Sequence, residues 1–218
     1  MLGGAKDIRV SLYLCPSLYS WTDSCLYLYS DMMTSNLPGG CLQINKCMEF
    51  KELIRARYSC KAYDSGRQLS PETLAEILEA GRMAPTAKNL QEQHIYVCQS
   101  PEALAKIDAC TPCRYGAPTV LVVAFDRNNV YTYPDGKRES GIEDAAIVAT
   151  HLMLGAKDAG VESCWLNCVH IDKLHEALGL PDNEEILMLL DLGYPAAGAK
   201  PLANHFSRKD VGQTTSYL

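Results

Sequence analysis

A chain of 218 residues, 47% hydrophobic and 21% charged, is long enough for one globular domain with a sizeable core. Its formal net charge of −6 excludes a general nucleic-acid binder, which would present a basic face, so a local cluster of cations points instead to one small anion. No apolar run reaches the roughly 18 residues that a membrane-spanning helix needs.

Residues 1–47 stand apart. Their charges are Lys6, Asp7, Arg9, Asp23, Asp31 and Lys46, and Pro16, Pro38, Gly39 and Gly40 break every short apolar period. The segment reads as a disordered or non-native extension, with Met48 as the natural start and 48–218 as the domain. The alternative is an N-terminal arm packed on a partner subunit. The first residues lack a basic region, a continuous apolar stretch and a small-residue cleavage site. The ten cysteines are therefore expected as reduced thiols in the cytoplasm rather than as a disulfide framework.

From Met48 the periodicity becomes regular. A helix over about 49–57 is expected, with Phe50, Leu53 and Ile54 on one face. Ser70-Pro71-Glu72 starts a second helix, with Ser as N-cap, Pro at the first helical position and an acid in the first turn; it ends before Pro85. His94–Cys98 reads as a buried strand, and Ser100-Pro101-Glu102 starts a helix by the same logic as before. The β-branched run 118–125 is a central strand, followed by an Asn-, Asp- and Tyr-rich loop from Asp126. Ser140-Gly141-Ile142-Glu143 fits a capping box, opening a helix to about Asp158 that is apolar enough for burial on most sides; Gly160 ends it. Cys164–Leu166 is a short strand, Ile171–Leu178 a short helix stopped by Gly179, and Ile186–Gly193 the last strand. Neither a Gly-x-Gly-x-x-Gly turn nor a Gly-x-x-x-x-Gly-Lys loop is present.

Arg57, Ser59 and Lys61 are the most suggestive side chains. In an extended segment they point to one side and offer a guanidinium fork, a hydroxyl and an ammonium, a donor set suited to phosphate; the alternative is a solvated basic edge. Cys110-Thr111-Pro112-Cys113 has thioredoxin spacing but reads as coincidence in a cysteine-rich chain. His151 reads as a satisfied core histidine, His170 and His175 as surface residues, Asp144 as a helix-dipole partner, and Trp21 and Trp165 as packing residues.

In order and spacing these segments resemble the FMN-dependent nitroreductase family. Arg57-Tyr58-Ser59-Cys60-Lys61 matches the family's opening Arg-Arg-Ser-x-Arg, with Tyr58 and Lys61 as departures. Ala84-Pro85-Thr86-Ala87-Lys88-Asn89-Leu90-Gln91 matches Ala-Pro-Ser-x-x-Asn-x-Gln, but Glu92-Gln93 replace the usual Pro-Trp. Gly160–Cys168 and the tail Gly193-Tyr194-Pro195 to Arg208-Lys209 complete the likeness, which covers roughly 48–212. The resemblance implies an α+β three-layer sandwich, a mixed, mainly antiparallel sheet flanked by helices, in an intertwined homodimer. It implies FMN held through Arg57, Tyr58, Ser59, Lys61, Arg208 and Lys209 at the phosphate. Pro85, Thr86, Asn89 and Gln91 would come from the partner's loop, and Leu166, Asn167 and Cys168 would face the flavin through main chain. The flavin would carry the chemistry, so no side chain is expected to be catalytic. Hydride would pass from NADH or NADPH through flavin N5 to a small acceptor such as a nitroaromatic or quinone. The alternatives are an offshoot performing dehalogenation, flavin fragmentation or azoline oxidation, or a flavin-binding sensor without turnover. The short loop 126–139 implies an open site with Tyr131 or Tyr133 near the acceptor.

Overall fold

The computed structural model describes residues 48–218; the expectations for 1–47, including Trp21, lie outside them. Four strands, β1 (Gln93–Cys98), β2 (Thr119–Asp126), β3 (Glu162–Leu166) and β4 (Glu184–Gly193), form one sheet in the order β1-β2-β4-β3. All three pairings are antiparallel, and the parallel component is a single bridge between Ser59 and Ser163 beside β3. The α-helices among the described residues are α1 (Phe50–Ala56), α2 (Pro71–Arg82), α3 (Pro101–Asp108), α4 (Gly141–Asp158) and α5 (Ile171–Leu178).

The period of two along β2 builds three layers. Leu121, Val123 and Phe125 face a core shared with Ile77 of α2 and Val148 and Leu152 of α4. Val120, Val122 and Ala124 face the opposite core, with Ile107 of α3 and Leu174 of α5. With both faces covered, β2 is buried from Thr119 to Phe125, as a continuous apolar run requires.

Local chemistry explains the starts of α2 and α3. The Ser70 and Ser100 hydroxyls accept from Thr73 N–H at 3.1 Å and Ala103 N–H at 3.2 Å, each ahead of a proline at the first helical position. Gly179 adopts φ 68° as the left-handed cap of α5.

Several expectations need correction. β1 lies at the sheet edge and buries only Cys98 fully, because one flank has no strand neighbour. Ser140 makes no capping bond: its hydroxyl accepts from Tyr131 N–H at 3.1 Å and donates to Glu92 Oε1 at 3.3 Å. Helix α4 is buried along one stripe only, leaving Ile142 51% and Ile147 38% exposed. Phe50 and Ile54 of α1, the expected packing face, are likewise exposed. His151 is half-buried rather than core, and His175 is half-buried, its Nε2 lying 3.1 Å from the Pro181 and Glu184 carbonyls.

Candidate functional site

Arg57 is the C-cap of α1 at φ −64°, ψ 131°, so the chain leaves the helix extended. Cys60 N–H then donates to the Ser163 carbonyl at 2.9 Å, which lays the segment along β3. On its other side Asp64 N–H donates to Tyr194 O and Ala196 N–H donates to Ala62 O, joining it to the tail after β4. Alternation does the rest as far as Lys61: Tyr58 and Cys60 are buried, in a cluster completed by Tyr63 and Ala117, while Ser59 and Lys61 are exposed. The Tyr58 ring meets the His205 ring edge-on at 6.3 Å and sits beneath Lys157 Nζ at 5.8 Å. Burial, and then the nearby Glu162 charge, push the Tyr58 phenol well above its ordinary range, so it stays neutral.

The outward residues line a groove of about 390 Å³. Arg57, Ser59 and Lys61 form one wall, Cys164 and Trp165 of β3 another, and Leu202, Asn204, His205 and Arg208 of the tail the third. Three permanent cations and a hydroxyl thus share a cavity with no carboxylate among its lining residues, a field that selects an anion. Arg208 is held in place by donating through Nη1 to the His205 and Ser207 carbonyls. Lys209 is exposed and outside the lining. Two larger cavities, about 590 and 480 Å³, lie around the start of α5, and the second carries Asp172, Asp182, Glu184 and Glu185, which repel phosphate.

Further along β3, Leu166 is buried at the strand end and Asn167 and Cys168 are exposed. Asn167 Oδ1 accepts from Trp165 Nε1 at 2.8 Å, and the Cys168 carbonyl accepts from Thr111 Oγ1 at 2.6 Å. One strand therefore carries both a groove wall and this loop.

Pro85, Thr86, Asn89 and Gln91 form a separate cluster, and none of them lines the groove. Lys88, Asn89 and Gln91 have φ of 52°, 57° and 54°, a left-handed conformation that costs a non-glycine residue about 1 kcal/mol. The Thr86 hydroxyl holds Gln91 N–H at 3.0 Å, Asp144 Oδ1 holds Ala87 N–H at 3.0 Å, and Asn129 Nδ2 donates to Leu90 O at 3.0 Å. Lys88 Nζ lies 4.5 Å over the Tyr131 ring, which joins this loop to the 126–139 segment. Tyr133 instead donates to Glu143 Oε2 at 2.6 Å.

Under the loop, Glu92 and Asp144 are 3% and 4% exposed, each with one carboxyl oxygen lacking a conventional partner. Burial, then the hydrogen bond with Asp144, raise the Glu92 carboxyl to about 7. The sequence reading missed this pair, along with Trp165, Asn204 and His205. A carboxylate in place of the usual Pro-Trp was the one available signal for Glu92. The tail residues carried none, since no periodicity places them.

The nitroreductase family model matches residues 54–111 and 112–194. A solved nitroreductase family protein of Clostridium difficile 630 is 33% identical, with a TM-score of 0.73 over 78% of this chain and 98% of that one. An Archaeoglobus fulgidus protein provisionally named NADH dehydrogenase/NAD(P)H nitroreductase is 29% identical over 155 residues, 67% of this chain and 86% of its own. A solved Exiguobacterium sibiricum 255-15 chain, described as a nitroreductase in complex with FMN, shares the fold at 20% identity and a TM-score of 0.68, covering 78% of this chain and 98% of that one.

Proposed function

The chain belongs to the nitroreductase family, and on that premise we propose that residues 48–218 form an FMN-binding, NAD(P)H-dependent oxidoreductase domain whose anion groove holds the flavin phosphate. The observation that carries this is convergence: Arg57, Ser59 and Lys61 from the start of the domain meet Arg208 from its end in one carboxylate-free groove. Two guanidinium forks, an ammonium and a hydroxyl fit a phosphate dianion in charge and donor number. Tyr58, whose ring is buried, can contribute only main chain, and Lys209 adds charge from outside the groove.

Bound there, FMN would supply the redox chemistry, taking hydride from NADH or NADPH at flavin N5 and giving it to a small acceptor such as a nitroaromatic or quinone. The protein's own task is to bind and orient. Leu166, Asn167 and Cys168 offer main-chain groups to the ring, and an N–H there would favour negative charge on it. The Asn89 amide can donate to and accept from a uracil-like ring edge, supported by Pro85, Thr86 and Gln91. No side chain is assigned as catalytic.

The strained loop at 86–91 does not line the groove of its own chain, and in the homodimer that the resemblance implies it would reach the partner's flavin. The exposed Phe50, Ile54, Ile142 and Ile147 supply apolar surface for that contact. Light scattering should give twice the 24.0 kDa chain mass, and the double change Phe50→Glu and Ile54→Glu should shift it toward monomer; a wild-type monomer that still holds FMN would sink the dimer. Among the described residues no helix is long and apolar enough to cross a membrane, and six cysteines are free thiols, which supports a cytoplasmic setting.

The deciding experiment is a visible spectrum of the purified chain with chromatographic identification of the released chromophore. A yellow protein with stoichiometric FMN, oxidising NAD(P)H in the presence of a quinone, is expected. A colourless protein that takes up no added FMN overturns the assignment.

A further inference from the structure

The Cys-x-x-Cys motif at Cys110 and Cys113 does not present two accessible thiols. Cys110 is 2% exposed within the core of α3, α5 and β2, whereas Cys113 is half-buried at its edge. A different cysteine lies close to Cys113. Thr111 Oγ1 donates to the Cys168 carbonyl at 2.6 Å and accepts from Cys113 N–H at 3.1 Å, so one hydroxyl ties the two backbones together. His170 N–H donates to the Cys110 carbonyl at 3.0 Å and closes the same seam. The exposed Cys168 and the half-buried Cys113 are thus held beside one another through a single hydroxyl.

The surroundings of Cys113 suit a thiolate. The Tyr115 hydroxyl is its leading hydrogen-bond partner, with Cys168, Thr111 and the Lys61 charge adding smaller contributions, and together they hold the thiol below its ordinary range. The same contact raises Cys168. Lys61 Nζ stands 5.5 Å over the Tyr115 ring. Tyr115 itself has φ 53°, a strained conformation for a bulky residue and of the kind that clusters at functional sites.

We propose that Cys113 and Cys168 form a reversible dithiol–disulfide site that reacts with low-molecular-weight disulfides, Cys113 attacking and Cys168 resolving. The Cys113 thiolate attacks one sulfur of the small disulfide, forming a mixed disulfide and expelling one small thiolate. Cys168 loses its proton and attacks the Cys113 sulfur, expelling the second small thiolate and closing the Cys113–Cys168 bond. Two electrons pass from the protein to the small disulfide, and the two protein protons leave on two small thiols. The site would lock the 110–113 turn to the loop after β3, the same loop whose main chain is assigned above to the flavin ring.

The test uses the full chain, reduced, freed of reductant and incubated with oxidised glutathione, followed by alkylation and peptide mass spectrometry. A Cys113–Cys168 cross-linked peptide, lost on adding dithiothreitol, is expected. Cys168→Ser should accumulate glutathione on Cys113, and Cys110→Ser should leave the cross-link intact. At pH 7, iodoacetamide should modify Cys113 about tenfold faster than Cys168 despite its lower exposure, and Tyr115→Phe should slow that reaction. A disulfide joining Cys113 to any other cysteine, or full alkylation of Cys113 and Cys168 after incubation, overturns the proposal.

Discussion

Arg57 owes its position to a single backbone event, the change from helical to extended ψ at the end of α1. Beyond that point every second side chain faces the groove, which is why 57, 59 and 61 were legible together in the sequence. Removing one charge-assisted contact to a phosphate costs roughly 1.5–3 kcal/mol. Arg57→Ala should therefore weaken FMN binding about 10- to 100-fold, measured by quenching of flavin fluorescence, while riboflavin, which lacks the phosphate, binds the variant and the wild type alike. Equal weakening for both flavins would mean that Arg57 acts elsewhere. Lys61→Arg restores a planar fork and should tighten FMN without affecting riboflavin. Arg208 could be guessed only by likeness, because its arrival depends on the tail bonding to Ala62 and folding back over β3, a long-range event that no local pattern encodes.

Among the elements, those whose ends are fixed by their own residues were readable. Ser70-Pro71, Ser100-Pro101 and Gly179 mark helix boundaries through contacts within a few residues. The Ser140 cap failed because a tertiary partner, Glu92, claimed the hydroxyl. The exposed stripe of α4 failed because hydrophobicity alone does not say which faces a neighbour covers. The crossing of α2 and α4 shows the same limit. A Cβ at Gly155 would lie 2.5 Å from Ala80 Cβ, and one at Gly81 would lie 2.6 Å from Leu152 Cδ2, so two glycines set how closely the helices approach. Glycine is the poorer helix former, so Gly155→Ala would gain stability on propensity alone. Overpacking against a rigid Cβ costs about 1–3 kcal/mol and should win. Urea unfolding should show a lower midpoint for Gly155→Ala at an unchanged slope, while Thr150→Ala, exposed on the same helix, should be neutral or stabilising. An unchanged midpoint for Gly155→Ala would mean that the helices can part freely.

Across the whole molecule, buried acids give the fold a pH dependence opposite to that set by surface carboxylates. Asp191, near the end of β4, is fully buried with both carboxyl oxygens unpartnered, and burial raises its carboxyl to about 9. Glu92 is raised to about 7 by burial and by Asp144. In both, the folded state binds a proton more tightly than the unfolded chain. Their contribution is complete below the unfolded carboxylate range and is lost as pH rises through about 7 for Glu92 and about 9 for Asp191. Carboxylates held low, such as Asp126 with its bonds from Asn183 and Asn128, add stability above the ordinary carboxylate range and are lost only in acid. The two classes separate above pH 6, where the second is already fully ionised. Stability should fall between pH 6 and 8 by on the order of 4 kcal/mol, because one extra bound proton is worth about 1.4 kcal/mol per pH unit, and the folded state holds one on Asp191 throughout that window and one on Glu92 for about half of it. Asp191→Asn removes the larger share and Glu92→Gln the smaller, and subtracting each variant's curve from the wild type cancels every unchanged group. Free energies of urea unfolding at half-unit pH steps would reveal the difference. A wild type whose stability is level or rising from pH 6 to 8, with variant curves parallel to it, would show that the interior around β4 solvates these acids far better than its packing implies.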